Sequence, residues 1–138
     1  MKILYVILTC DKNKERQRWQ RETWLKGIEN YYIYLDKPVG EEVYTNAPLK
    51  YVEFLRNTPL RMDHYNWLFF CDDDTFVYTD KLDRLLLGVL DNAETIMIGF
   101  KGGTFPIYNL QIQWCSGGAG IALSREAVKN IQTHLRST

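Results

Sequence analysis

The sequence predicts an α/β protein with a mixed, mostly parallel central sheet flanked by helices, in a single domain over residues 1–138. Three observations carry that expectation. Ile3 to Leu8 is apolar on both faces and is followed by polar Thr9 to Lys14, the pattern of a central strand covered on both sides. Trp67 to Cys71 is a second such run, ending abruptly on Asp72-Asp73-Asp74. Stretches with helical spacing lie around these two runs, and 138 residues suffice to bury a core without disulfides or a structural metal.

The remaining elements follow in order. Glu15 to Lys26 reads as a helix with Trp19, Thr23 and Leu25 on its apolar side and Gly27 as its stop. Tyr31 to Leu35 reads as a short strand closed by Asp36-Lys37-Pro38. Pro38, Gly40, Asn46 and Pro48 mark loop, Lys50 to Phe54 reads as a third strand, and Pro59 to Tyr65 as a short helix. Thr79 is placed to cap a helix through Asp91, with Leu82, Leu85, Leu86 and Val89 at helical spacing. Ile96 to Phe100 is a further strand, Phe105 to Trp114 holds one or two more, and Ile121 to Leu123 returns to the core. Ser124 caps a last helix to about His134.

Charge narrows the partners. Lys plus Arg number 17 and Asp plus Glu 17, so the chain lacks the basic excess of a general nucleic-acid or membrane-surface binder. No apolar run reaches the 18 to 20 or so residues of a membrane span. Cys10, Cys71 and Cys115 form no Cys-x-x-Cys pair, which argues against zinc and for thiols packed at strand ends. The odd count favours a reducing compartment, with the cytoplasm as the expected location and the Golgi lumen as the alternative for an excised domain. A small molecule or another protein is the expected partner.

Three adjacent carboxylates at the end of a buried strand raise one another's pKa, and a hard divalent cation is the usual compensation. In open α/β sheets ligands bind outside the carboxyl ends of strands, where this triplet falls. On an extended stretch Asp72 and Asp74 would face one pocket and Asp73 another way. Oxygen ligands without Cys or His indicate Mg²⁺, Mn²⁺ or Ca²⁺. From Asp11 to Lys26 six basic residues (Lys12, Lys14, Arg16, Arg18, Arg21, Lys26) stand against three acidic ones, either a solvated helix face or an anion contact at a helix start. Gly117 to Gly120 permits close backbone approach to a ligand, or is a tight turn. His64 and His134 read as surface or capping residues, and Ser116 lacks the Gly-x-Ser-x-Gly setting of a hydrolase nucleophile.

Four blocks stand in order along the chain: Val6-Ile7-Leu8-Thr9-Cys10, Arg21-Glu22-Thr23-Trp24, Trp67 to Val77 with its Asp triplet, and Trp114 to Arg125 with Gly-Gly-Ala-Gly. With the Leu-rich helix and Ile98-Gly99 they resemble the Fringe-like β1,3-glycosyltransferases. The resemblance implies a GT-A-like (Rossmann-like) fold and inverting transfer of a sugar from a UDP-sugar donor to a glycan or protein-linked hydroxyl acceptor. It implies Mn²⁺ as cofactor, with Mg²⁺ as the alternative. Carried over by position, Asp74 looks like the metal-binding Asp of the family's Asp-x-Asp motif, and Asp72 and Asp73 like contacts to donor ribose or sugar. Arg16 matches a donor-contacting Arg, Thr9 lies by the uracil, and Gly117, Gly118 and Ala119 line the donor-sugar and acceptor side.

The stretch from Leu35 to Trp67 is shorter than in those relatives, which carry a longer helix there. The family's catalytic base and a metal-binding His would fall after Thr138, so the catalytic residue stays unassigned, with Asp63 and His134 as unplaced candidates. The alternative expectations are a non-catalytic UDP-sugar-binding module and a small Mg²⁺-binding regulatory α/β domain. The second needs acidic residues just after the first strand, where only Asp11 stands.

Overall fold

The computed structural model describes residues 1–28, 32–35, 47–89, 94–107 and 110–137. Its strands are β1 (Ile3–Leu8), β2 (Tyr32–Leu35), β3 (Trp67–Asp72), β4 (Met97–Ile107) and β5 (Leu110–Ser124), and its helices are α1 (Lys14–Glu22), α2 (Ala47–Asn57), α3 (Thr79–Leu87) and α4 (Arg125–Ser137). The strands form one sheet in the order β2-β1-β3-β5-β4. β1 pairs parallel with β2 and β3, and β5 pairs antiparallel with β3 and β4, so β5 alone runs against the other four. The sheet is mixed and mostly parallel, as the two apolar runs predict.

Both central strands are buried on both faces because helices cover both. Ile3, Tyr5, Ile7, Trp67, Phe69 and Cys71 point to one side, where they meet Trp24 and Leu25 after α1 and Leu86 of α3. Leu4, Val6, Leu68 and Phe70 point to the other and meet Phe54 and Leu55 of α2 and Ala127 and Val128 of α4. Each large apolar side chain buried this way stabilises the fold by about 1.5–3 kcal/mol.

Several local expectations give way. Lys50 to Phe54 belongs to α2, not to a strand: Tyr51, Phe54 and Leu55 share one helical face, with the Tyr51 ring 4.5 Å from that of Phe70. Their i, i+3, i+4 spacing is that of an amphipathic helix. Pro48 sits in the helix's first turn, where its missing N–H costs nothing. The helix from Glu15 ends at Glu22, and its inward face is Gln17 and Gln20 rather than Trp19 and Thr23; Trp19 is 53% exposed. Pro59 to Tyr65 shortens to one 3-10 turn at Met62–His64.

Tyr78, not Thr79, occupies the N-cap of α3, without a side-chain cap bond, and the helix closes at Leu87. β4 and β5 extend well beyond the expected Ile96 to Phe100 and Ile121 to Leu123. Ser124 does cap α4, its hydroxyl accepting from the Ala127 N–H at 3.2 Å. Tyr31, the closing Asp36-Lys37-Pro38, the loop markers Gly40 and Asn46, and the end of the third helix at Asp91 lie outside the described residues.

Candidate functional site

The chain leaves β1 toward β2 on one side and leaves β3 toward β4 and β5 on the other, so β1 and β3 flank the topological switch point of the sheet. Ligands of open α/β sheets bind outside the carboxyl ends of such a pair. Leu8 is opposite Asp72 in the ladder, so Thr9 and the acid triplet emerge side by side at that crevice.

Asp73 is the centre of the arrangement. The chain turns at Asp73 and Asp74, sending the Asp73 carboxylate inward, where it is 7% exposed. Its Oδ2 accepts from the Thr9 hydroxyl at 2.9 Å and Asn13 Nδ2 at 2.8 Å, and its Oδ1 accepts from the Arg16 guanidinium at 3.1 Å. A buried charge requires this many donors, because desolvation without partners costs far more than a surface ion pair returns. Thr9 also accepts from Gln17 Nε2 at 3.0 Å, and its carbonyl accepts from the buried Lys50 Nζ at 3.0 Å.

Gln20 closes the acid turn from beneath, its Nε2 donating to the carbonyls of Asp72 and Thr75, both at 3.2 Å. Asn13, Gln17 and Gln20 therefore form an inward polar stripe at i, i+4, i+7, with Arg16 beside it. On sequence alone this segment stays open between a solvated basic face and an anion contact, with its amides not assigned inward. The i, i+3, i+4 recurrence of amide and guanidinium groups immediately after a central strand is the signal that marks it.

Asp72 faces the other way and accepts from the Tyr51 hydroxyl at 3.1 Å. Burial raises the Asp72 pKa above its ordinary 3.8, the Tyr51 bond opposes the rise, and the negative charges of Asp74 and Asp73 add to it. Burial, reinforced by Asp72, likewise drives the Tyr51 phenol far up, so it stays protonated and donates. The fully buried Cys71 thiol is pushed up by burial first and the acid triplet second, which keeps it neutral and inert as a nucleophile.

Asp74 is exposed. Because the turn begins at Asp73, Asp73 and Asp74, rather than Asp72 and Asp74, line one groove of about 230 Å³ together with Arg16, Trp19 and Phe76. The ladder between β4 and β5 steps from Gly99 opposite Ile121 to Phe100 opposite Ser116, so residues 117–120 are extruded from it. The Gly-rich segment is thus an irregularity within β5, not a turn between elements. Gly118 and Ala119 are exposed, and the Gly118 carbonyl accepts from the Thr75 hydroxyl at 3.3 Å, joining this segment to the acid turn. Gly117 lies in β5 beside it.

The structure therefore brings together Thr9, Arg16, Asp73, Asp74 and Gly118, with Asp72 on the reverse of the same turn. Asp63 is excluded from this group: it lies in the 3-10 turn before β3, at the opposite end of that strand, where it pairs with Lys129 at 3.0 Å. His64 and His134 are exposed. Among the described residues no three His, Cys, Asp or Glu side chains converge as a complete metal cage. Exposed Asp74, next to the buried Asp73, fits a hard cation that takes one protein carboxylate and completes its sphere with ligand oxygens and water. No helix among the described residues is long and apolar enough to cross a membrane.

No family model matches the chain. Over 80 residues, 54% of its length, it is 29% identical to chondroitin sulfate synthase 3 of Mus musculus. The match covers 9% of that protein, so the chain spans less than a tenth of the curated relative. This likeness does not single out the Fringe-like group.

Proposed function

We propose that this chain is a glycosyltransferase domain that takes a UDP-sugar in the crevice beyond β1 and β3 and passes the sugar, with inversion, to a hydroxyl of a glycan or protein-linked acceptor. The observation that carries the proposal is the acid turn at the switch point: one carboxylate locked inward by Thr9, Asn13 and Arg16, the next left exposed beside a glycine-rich backbone. The distant likeness to a chondroitin sulfate synthase supports the same reading.

In this reading Asp74 holds Mn²⁺ or Mg²⁺, which supplies positive charge against a departing diphosphate. The chain's own residues do the rest by positioning. Asp73 spends both oxygens on the frame, so it orients Arg16 along the groove wall, where the half-exposed guanidinium adds a cation for the diphosphate. Thr9 holds the end of β1 against the acid turn, at the edge where the base is to lie. Asp72, held by Tyr51 on the reverse of the turn, braces it, and the extruded Gly117, Gly118 and Ala119 line the sugar side without bulky side chains.

Thermal unfolding with UDP and several UDP-sugars, with and without Mn²⁺, tests this on the wild type and on Asp74→Asn. Ligand at one hundred times its dissociation constant stabilises a fold by about 2.7 kcal/mol. The expected result is a Mn²⁺-dependent rise in Tm with the nucleotides that Asp74→Asn abolishes. No shift with any nucleotide in the wild type overturns the proposal.

A further inference from the structure

The groove beside Asp74 does not end at Phe76. A second groove of about 470 Å³ shares Thr23, Trp24 and Phe76 with it and continues past Tyr78 to Arg84 on α3. Val77 is buried in the core, so the chain holds its neighbours Phe76 and Tyr78 outward, 57% and 66% exposed. Their rings meet edge to face with centroids 5.3 Å apart, and Lys81 Nζ lies 4.9 Å over the Tyr78 ring. Two large aromatics left in water at the mouth of a groove carry an unrecovered solvation cost, which a ligand with an apolar face offsets.

The charge of this second groove differs from that of the chain. Lys26, Lys81 and Arg84 line it against one carboxylate, Asp80, whereas the whole sequence is balanced at 17 against 17. The first groove has the opposite character, two carboxylates against Arg16. An acidic compartment thus opens directly into an aromatic, basic one.

We infer that the groove bounded by Phe76, Tyr78, Lys81 and Arg84 is the acceptor subsite and that it takes a saccharide carrying an acidic group. The inference rests on the transferase reading above and assigns its acceptor side. The C–H face of a sugar ring stacks on the outward aromatics, while the anionic substituent pairs with Lys81, Arg84 and Lys26. The shared wall at Phe76 leads from there to the acid turn. A nucleotide does not need this surface, since its diphosphate is matched by Arg16 in the other groove.

Isothermal titration of the full chain, without nucleotide or metal, tests the subsite. The probes are a glucuronate-containing tetrasaccharide, the same tetrasaccharide with its carboxyl groups reduced to alcohols, and inorganic sulfate. The carboxylated sugar is expected to bind about tenfold more tightly than the reduced one, the worth of two or three solvent-exposed ion pairs. Lys81→Gln with Arg84→Gln is expected to erase that difference, and Phe76→Ala with Tyr78→Ala to remove binding of both sugars with Tm kept. Equal binding of the two sugars, binding untouched by either pair of substitutions, sulfate competing as well as the sugar, or no saturable binding overturns the inference. The UDP and Mn²⁺ titration on the same samples separates the two ideas: a nucleotide response without saccharide binding removes only this inference, and saccharide binding without a nucleotide response removes the transferase reading and with it the acceptor assignment, leaving a site for an acidic saccharide.

Discussion

The Thr9 hydroxyl donates to Asp73 Oδ2 at 2.9 Å, across 64 residues of sequence, and fastens the end of β1 to the turn after β3. The same oxygen of Thr9 receives Gln17 Nε2, so one hydroxyl joins strand, helix and acid turn. Replacing it with an isosteric methyl leaves a buried carboxylate short of a donor and a buried amide short of an acceptor. Thr9→Val is expected to destabilise the fold by about 1–3 kcal/mol in urea unfolding at neutral pH, with Thr9→Ser close to wild type. Equal stability of the Val and wild-type proteins would show that the bond adds nothing.

Gln20 acts on the turn itself. Its amide donates to two carbonyls of the acid turn, and the turn's own bond, Thr75 N–H to the Asp72 carbonyl, is 3.2 Å long. Gln20→Met keeps the volume and removes the donor, so it separates bonding from packing. We expect a loss of about 1–3 kcal/mol and faster hydrogen exchange at the Thr75 amide while the β1 amides keep their protection. Unchanged exchange at Thr75 would assign Gln20 to packing alone.

These two bonds mark where sequence reasoning stopped. The strands of residues 3–8 and 67–72 are legible because an unbroken apolar run between polar flanks has few other fates in a chain of this size. The acid triplet is legible for the same reason, since charge at the end of such a run must face a crevice. The polar stripe of α1 is not, because Asn13, Gln17 and Gln20 find partners 52 to 60 residues away or at the end of β1. A buried amide and a solvated one have the same local pattern. α2 fails differently: its apolar residues at 51, 52, 54 and 55 follow helical spacing, which the five residues from Lys50 to Phe54 are too few to display, and Tyr51 and Phe54 pack on Phe70 from that helix.

The glycine-rich segment divides into a packing glycine and an open one. Gly120 has φ +85°, and a Cβ there would overlap the Phe69 ring. A Cβ on Gly118 meets nothing within 4 Å. Gly120→Ala combines a left-handed backbone with overpacking and is expected to cost roughly 2–5 kcal/mol, while Gly118→Ala stays within about 1 kcal/mol of wild type. Denaturant midpoints for the pair check this. Equal losses would mean that Gly118 also serves the core, and would weaken its assignment to the ligand side.

Asp72 gives the site a pH signature. Its pKa in the folded chain is raised, by burial first and by Asp74 and Asp73 next, with Tyr51 pulling the other way. A carboxyl with a raised folded pKa holds its proton more tightly in the native state than in the unfolded one. Its contribution is therefore full below the ordinary value of 3.8 and is lost as pH rises through the folded value. Asp72→Asn removes the charge and keeps an oxygen for the Tyr51 hydroxyl, so it is expected to be more stable than wild type at pH 7, with the advantage vanishing below about pH 4. Thermal unfolding of both proteins from pH 3 to pH 8 reads the difference directly. An Asn variant less stable than wild type at pH 7 would mean that the charged bond from Tyr51 outweighs the cost of burying the carboxylate among its neighbours.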